Sequence, residues 1–172
     1  MKTINIFFIV IATVVAIQAN AQQDAITRLF GKYVDDTRFT AVYISPKVFD
    51  MISTLTKEQQ VKDKELTEVL TNLKGIRILS TETTPKAFFQ EALKSLETNK
   101  FDLLMQVRDK TENVRFFVRD DGPVVDELIL LVGGDNSFTV MSFTGKIDLK
   151  KISKLSESIN VDGAEHLEKL EK

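Results

Sequence analysis

The chain has 172 residues, 23 Lys and Arg against 25 Asp and Glu, a net charge of −2 and a hydrophobic share of 43%. That length suits one domain, and that apolar content supports a packed core rather than disorder. No basic block stands out, which sets nucleic acid aside as a partner. The absence of Cys excludes thiol catalysis, disulfide exchange and thiolate metal sites.

The first residues read as a secretory signal peptide over 1–21. Met1-Lys2 carries one positive charge, Ile4 to Ile17 is an almost unbroken apolar run, and Ala19-Asn20-Ala21 has the small-x-small form of a cleavage site. The run is shorter than the roughly 20 residues of a membrane span, and no positive cluster follows it. Cleavage makes Gln22 the first mature residue and, with Lys2 gone, leaves 22 − 25 = −3 in net charge. A lipid anchor needs a Cys at the cleavage point, so the expected product is exported, periplasmic or secreted, and not lipid-anchored. It has no membrane span after cleavage.

A single domain is expected over 22–159. Asp24 is a good N-cap for a helix whose apolar face is Ile26, Leu29, Phe30, Tyr33 and Val34. Phe39 to Ile44 is β-branched and aromatic, a strand. Ser45-Pro46 then starts a helix that buries Val48, Phe49, Ile52 and Leu55. Thr56 to Lys64 is polar and reads as solvated. Leu66, Val69, Leu70 and Leu73 mark a short helix that stops at Gly75 as its C′ glycine. Ile76 to Leu79 is a strand, and Thr84-Pro85 begins a helix with Phe88, Phe89, Ala92, Leu93 and Leu96 facing inward.

From Phe101 the period changes. Phe101–Val107, Val114–Arg119, Val125–Val132 and Phe138–Phe143 are apolar runs separated by polar breaks at Arg108–Asn113, Asp120–Pro123 and Gly133–Asn136. Such spacing predicts four consecutive antiparallel strands, a meander. Leu128–Val132 is apolar on both faces and belongs in the sheet interior. The charged ends of Val114–Arg119 suit a strand nearer the edge. Gly145 is expected to turn the chain sharply into a helix capped by Asp148, with Leu149, Ile152, Leu155 and Ile159 on its buried side. Residues 160–172 form a tail, a short helix or a frayed end. The fold class is therefore α+β, a mainly antiparallel sheet with helices packed on it.

The chemistry in this sequence is sparse. The one histidine, His166, lies in the charged tail and reads as a solvated helix residue; a metal site needs several convergent ligands. Asp120, Asp121, Asp126 and Glu127 are close in sequence, but they lack the spaced loop of a calcium site and suit turn chemistry. Gly133-Gly134-Asp135-Asn136 lacks the frame of a phosphate loop and precedes a strand. Ser137, Ser142, Ser153, Ser156 and Ser158 have no nucleophile elbow around them. Phe88 and Phe89 read as core, while Phe116 and Phe117 fall on opposite faces of a strand and leave one ring exposed if a face is uncovered. No catalytic, cofactor-binding or metal-binding residue is nominated, and no cofactor is expected.

The stretches MQVRDKTENVRFFVRDD, ELILLVGGDNSFTVMSFTGKIDLKKISKL and INVDGAEHLEKL resemble a family of small exported bacterial proteins known as domain of unknown function forty-two fifty-two. The resemblance covers most of the mature chain and is strongest from Phe101 to Leu170. Some members carry a lipobox Cys that this chain lacks. The family has no established activity, so the resemblance implies location and domain extent and transfers no site residue. Three readings stay open. One is a non-enzymatic binding or interaction module for a protein or small-molecule partner. Another is a hydrolase or other enzyme using acids at the strand turns. The third is an accessory in envelope-stress signalling.

Overall fold

The computed structural model describes residues 25–59, 64–98, 101–120, 125–149 and 163–170. The signal segment 1–21, the Asp24 cap, the turn residues Asp121 to Pro123 and almost all of the helix expected after Asp148 lie outside these residues. Helix α1 spans Ala25–Tyr33, strand β1 Thr40–Ile44, helix α2 Pro46–Gln59, helix α3 Lys64–Asn72 and strand β2 Leu73–Thr81. Helix α4 covers Pro85–Thr98. Strands β3 (Asp102–Arg108), β4 (Glu112–Asp120), β5 (Val125–Gly134) and β6 (Phe138–Ile147) follow, and a 3-10 helix occupies Ala164–Leu170.

The six strands form one antiparallel sheet in the order β1-β2-β6-β5-β4-β3. The meander read from the alternating apolar runs is therefore present as β3 to β6, and the class is α+β. Helix α4 carries the chain from β2, near one edge, to β3 at the other; the meander then returns until β6 pairs with β2.

Because side chains alternate across a strand, the sheet feeds two cores. On one face Ile76, Ile78, Phe116, Leu128, Leu130, Met141 and Phe143 pack with Phe49 of α2, Val69 of α3 and Leu167 of the 3-10 helix. On the other, Leu79, Phe117, Ile129, Leu131, Phe138 and Val140 pack with Ile26, Leu29 and Tyr33 of α1 and with Phe88, Phe89, Ala92 and Leu96 of α4. Phe116 and Phe117 are both buried, since each face is covered above them. On the second face Phe39 stacks on Tyr33 at 4.7 Å between ring centroids and meets Phe88 edge-on at 4.6 Å. Tyr33 also donates from its hydroxyl to Glu91 Oε2 at 2.7 Å, which ties α1 to α4.

Several local expectations give way. Thr56 to Lys64, read as a polar solvated segment, carries the end of one helix and the start of the next: α2 continues to Gln59 and α3 begins at Lys64. Gly75 does not cap α3, because the helix passes directly into β2 at Leu73 and Gly75 sits inside that strand. Helix α2 buries Phe49 but leaves Val48 and Leu55 exposed. It lies beside α3 at the β1–β2 side of the sheet, where a helix has only a narrow stripe to bury. His166 is buried, not solvated, at 8% exposure, and its Nε2 lies 3.2 Å from Glu112 Oε2 on β4.

Gly145 is not a corner either, since β6 runs through it to Ile147. Its φ is 138°, and a Cβ there would lie 2.2 Å from the Asn72 carbonyl oxygen and 2.9 Å from Leu73 Cα. The β2–β6 register shifts between Leu73 and Gly75 at this level. A glycine is needed because the α3–β2 junction presses its backbone onto β6.

One charged group lies inside the sheet. Glu127 on β5 is fully buried; its Oε2 accepts from Arg119 Nη2 at 2.6 Å and its Oε1 from the Ser142 hydroxyl at 2.7 Å. Arg119 stands directly opposite Glu127 on β4, and its guanidinium lies 5.0 Å from the centroid of the Phe101 ring. A buried carboxylate is tolerated only when its lone pairs are filled, and three adjacent strands of the sheet supply the parts.

Two stability measurements follow from these contacts. Gly145→Ala should cost at least about 2 kcal/mol in urea unfolding, since the new methyl group meets backbone and the φ disfavours it. Gly133→Ala should cost less although its Cβ would also lie 2.2 Å from an atom, because that atom is on the Phe89 ring, which can shift. Equal costs would show that the close approach at Gly145 is not what demands glycine. In the same assay Glu127→Gln should destabilise by about 1–3 kcal/mol, the range for a disturbed buried charged hydrogen bond. Ser142→Ala, which leaves the Arg119 contact in place, should cost less.

Candidate binding site at the hairpin end of the sheet

In a meander, successive turns fall at alternate ends of the sheet. The β3–β4 and β5–β6 turns therefore share one end, and α4 begins at that end because it follows β2. The three segments enclose a groove of about 270 Å³, whose charged lining is Lys86, Arg108, Asp109, Lys110, Glu112 and Asp135, with Phe89 among its other residues.

Its floor is set by Phe89 and Gly133. The ring of Phe89 lies so close to the Gly133 backbone that a Cβ there would displace it. The Arg115 guanidinium lies 5.9 Å from the same ring's centroid. The Gly133–Asn136 break is a hairpin, as its position before a strand suggests: Gly134 N–H donates to Ser137 O at 2.8 Å.

The wall is the turn after β3. Asp109 Oδ1 accepts from the Thr111 N–H at 2.7 Å, the Thr111 hydroxyl at 2.8 Å and the Glu112 N–H at 2.9 Å. The backbone N–H groups of Thr111 and Glu112, and then the Thr111 hydroxyl, hold its carboxyl below the usual carboxylate range. Asp109 is thus committed to the turn. Asp135 pairs with Lys86 at 2.8 Å, and Glu112 faces His166. Arg108 and Lys110 are exposed and make no ion pair with any described residue. Lys86 and Asp135 neutralise each other, while Arg108 and Lys110 make no ion pair with a described residue, so the groove offers two cationic donors beside an aromatic ring within a lining whose charges balance overall.

The other acids do not meet. Asp120 and Asp126 are exposed at the opposite end of the sheet, and Glu127 is closed in by Arg119 and Ser142. Among the described residues no group of three or more His, Asp or Glu is placed to hold a metal ion. Ser142 is fully buried as the donor to Glu127. His166 lies behind the β3–β4 wall, where its Nε2 approaches Glu112 Oε2 at 3.2 Å.

No groove residue is nominated as a site residue by sequence reading, which weighs Gly133–Asn136 as a phosphate loop and takes it as a turn, takes Arg108–Asn113 as a turn and takes Phe89 as core. The signal that could have found them is topological: four meander strands put the first and third turns side by side.

No curated protein and no solved structure matches the chain. A family model does match, over residues 33–155, a span that encloses all six strands together with α2, α3 and α4. The chain belongs to the family described as domain of unknown function DUF4252.

Proposed function

We propose that this protein is an exported, non-enzymatic binding module, and that the hairpin-end groove holds a small carboxylate-bearing ligand or an acidic side chain of a partner. The observation that carries this reading is the state of two cations in the groove. Arg108 and Lys110 make no ion pair with a described residue, whereas Asp135 is paired with Lys86 and the Asp109 carboxylate is held by its own turn. Ionised groups form the stronger hydrogen bonds, and an anion met by two cations gains both attraction and orientation. The volume stands just below the range of about 300–1,000 Å³ typical of ligand pockets, which favours a small group over a large cofactor. Phe89 supplies an apolar contact for the carbon skeleton that bears the charge.

A hydrolase working through acids of the strand turns draws less support. It needs two carboxyl groups free to act across a cleft, and of those lining the groove Asp109 is held by its own turn and Asp135 is paired with Lys86. Export rests on the apolar run Ile4 to Ile17 and the Ala19-Asn20-Ala21 site, and release without a lipid on the absence of Cys. Among the described residues no helix is long and apolar enough to cross a membrane.

The groove is tested by titrating the mature protein with glutamate, succinate and a short acidic peptide while amide shifts are followed by NMR. Saturable shifts should be confined to Arg108–Asn113, Gly133–Asp135 and the first turns of α4. Lys110→Ala should weaken binding by about fivefold or more, as loss of a charged contact does. Shifts that do not saturate, or that ignore Lys110→Ala, overturn the assignment. For export, mass analysis of the protein recovered outside the cytoplasm should find Gln22 first. A chain that keeps the residues before Ala21 contradicts it.

A further inference from the structure

Among the described residues the strand β3 is the outermost of the sheet and pairs only with β4, so its outward N–H and C=O groups join no ladder there. Six of its seven residues are exposed, including Leu103 at 50%, Leu104 at 44% and Val107 at 37%. The opposite edge differs. Strand β1 has five residues, and its one exposed large apolar side chain, Tyr43, is covered in part by the Arg77 guanidinium, 5.1 Å from the ring centroid. Proteins shield edge strands with Lys, Pro, a covering segment or a bulge. β3 contains neither Lys nor Pro; it has a register shift between Leu103 and Met105, after which Met105 to Arg108 pairs regularly.

The charges on this edge are arranged as a complementary pair. Asp102 opens the strand and Arg108 closes it, both are exposed, and neither makes an ion pair with a described residue. We infer that β3 is the interface for a second copy of this chain, joined antiparallel about a two-fold axis near Met105. In that arrangement each Asp102 comes to the level of the other copy's Arg108, within the one residue by which the bulge shifts the register. The pairing forms two ion pairs and sets the Leu103–Leu104 end of one strand beside Val107 of the other. A parallel arrangement would instead oppose Asp102 to Asp102 and Arg108 to Arg108. The same patch meeting itself is the signature of a closed dimer, and charge order selects its direction. Two six-stranded sheets become one of twelve strands, and both exposed β3 edges disappear.

The dimer goes beyond the groove reading. Arg108 also borders the groove, and its pairing with Asp102 of the second copy leaves Lys110 as the groove's cation without an ion pair among the described residues, so the test reads assembly alone, in the absence of any carboxylate ligand. Sedimentation velocity of the mature chain at low salt should show a concentration-dependent dimer. Asp102→Arg and Arg108→Asp should each raise the dissociation constant about tenfold or more, since each opposes like charges at both ends. An equimolar mixture of these two variants should assemble, because every Arg then meets an Asp, and the double variant should assemble with itself. Thermal unfolding of each variant confirms that it is folded. A parent protein that stays monomeric up to about 1 mM overturns the inference. Single variants that dimerise like the parent, or a mixture that stays apart, overturn it as well.

Discussion

The ladder between β2 and β6 holds the two halves of the chain together. Before it forms, the first half contains only β1, β2 and three helices, and a two-stranded sheet is marginal by itself in water. The second half is a four-stranded meander with β6 as its last strand. Pairing Ile76 with Phe143, Ile78 with Met141 and Leu79 with Val140 joins them, so both cores cross the seam. Helix α4 crosses it too, packing on β5 and β6 while it bonds to α1. The α3–β2 junction reaches the ladder at Gly145, where any side chain would force two backbones apart.

Six strands with helices on both faces leave little room for polar groups inside. The interior of β5 shows this most clearly, since Leu128, Ile129, Leu130 and Leu131 are all fully buried on alternating faces. Glu127 breaks the run. Its neighbours explain how a carboxylate persists there: Arg119 beside it and Ser142 diagonally across fill its two oxygens. Arg119 keeps part of its side chain in water, so the ion pair is buried on one side only.

The meander was legible because its signals are local: alternating apolar runs and turn residues at short intervals. The two-sided burial of Leu128–Val132 could be read from residue type alone. Gly145 was legible as a special residue but for the wrong reason. A glycine inside a strand looks like a turn until the segment pressing on it is known, and that segment lies about seventy residues earlier. His166 misled in the same way, since a lone histidine among glutamates carries no sign that the 3-10 helix holding it docks onto β4. Likewise Val48 and Leu55 carried the right period but not the information that α2 has little sheet beneath it. The groove was illegible residue by residue, because its lining comes from three segments that meet only through strand order.

The strand order also governs when the molecule can fold. On the ribosome Arg77 must wait for Ser142, its partner across the seam, and Ile76, Ile78 and Leu79 remain without the cover of β6 meanwhile. At about 5–20 residues per second that delay lasts several seconds. Long-range pairing of this kind also slows folding after synthesis, because loop closure comes before any reward. An incomplete chain therefore has no six-stranded state to settle into until its last strand has been made.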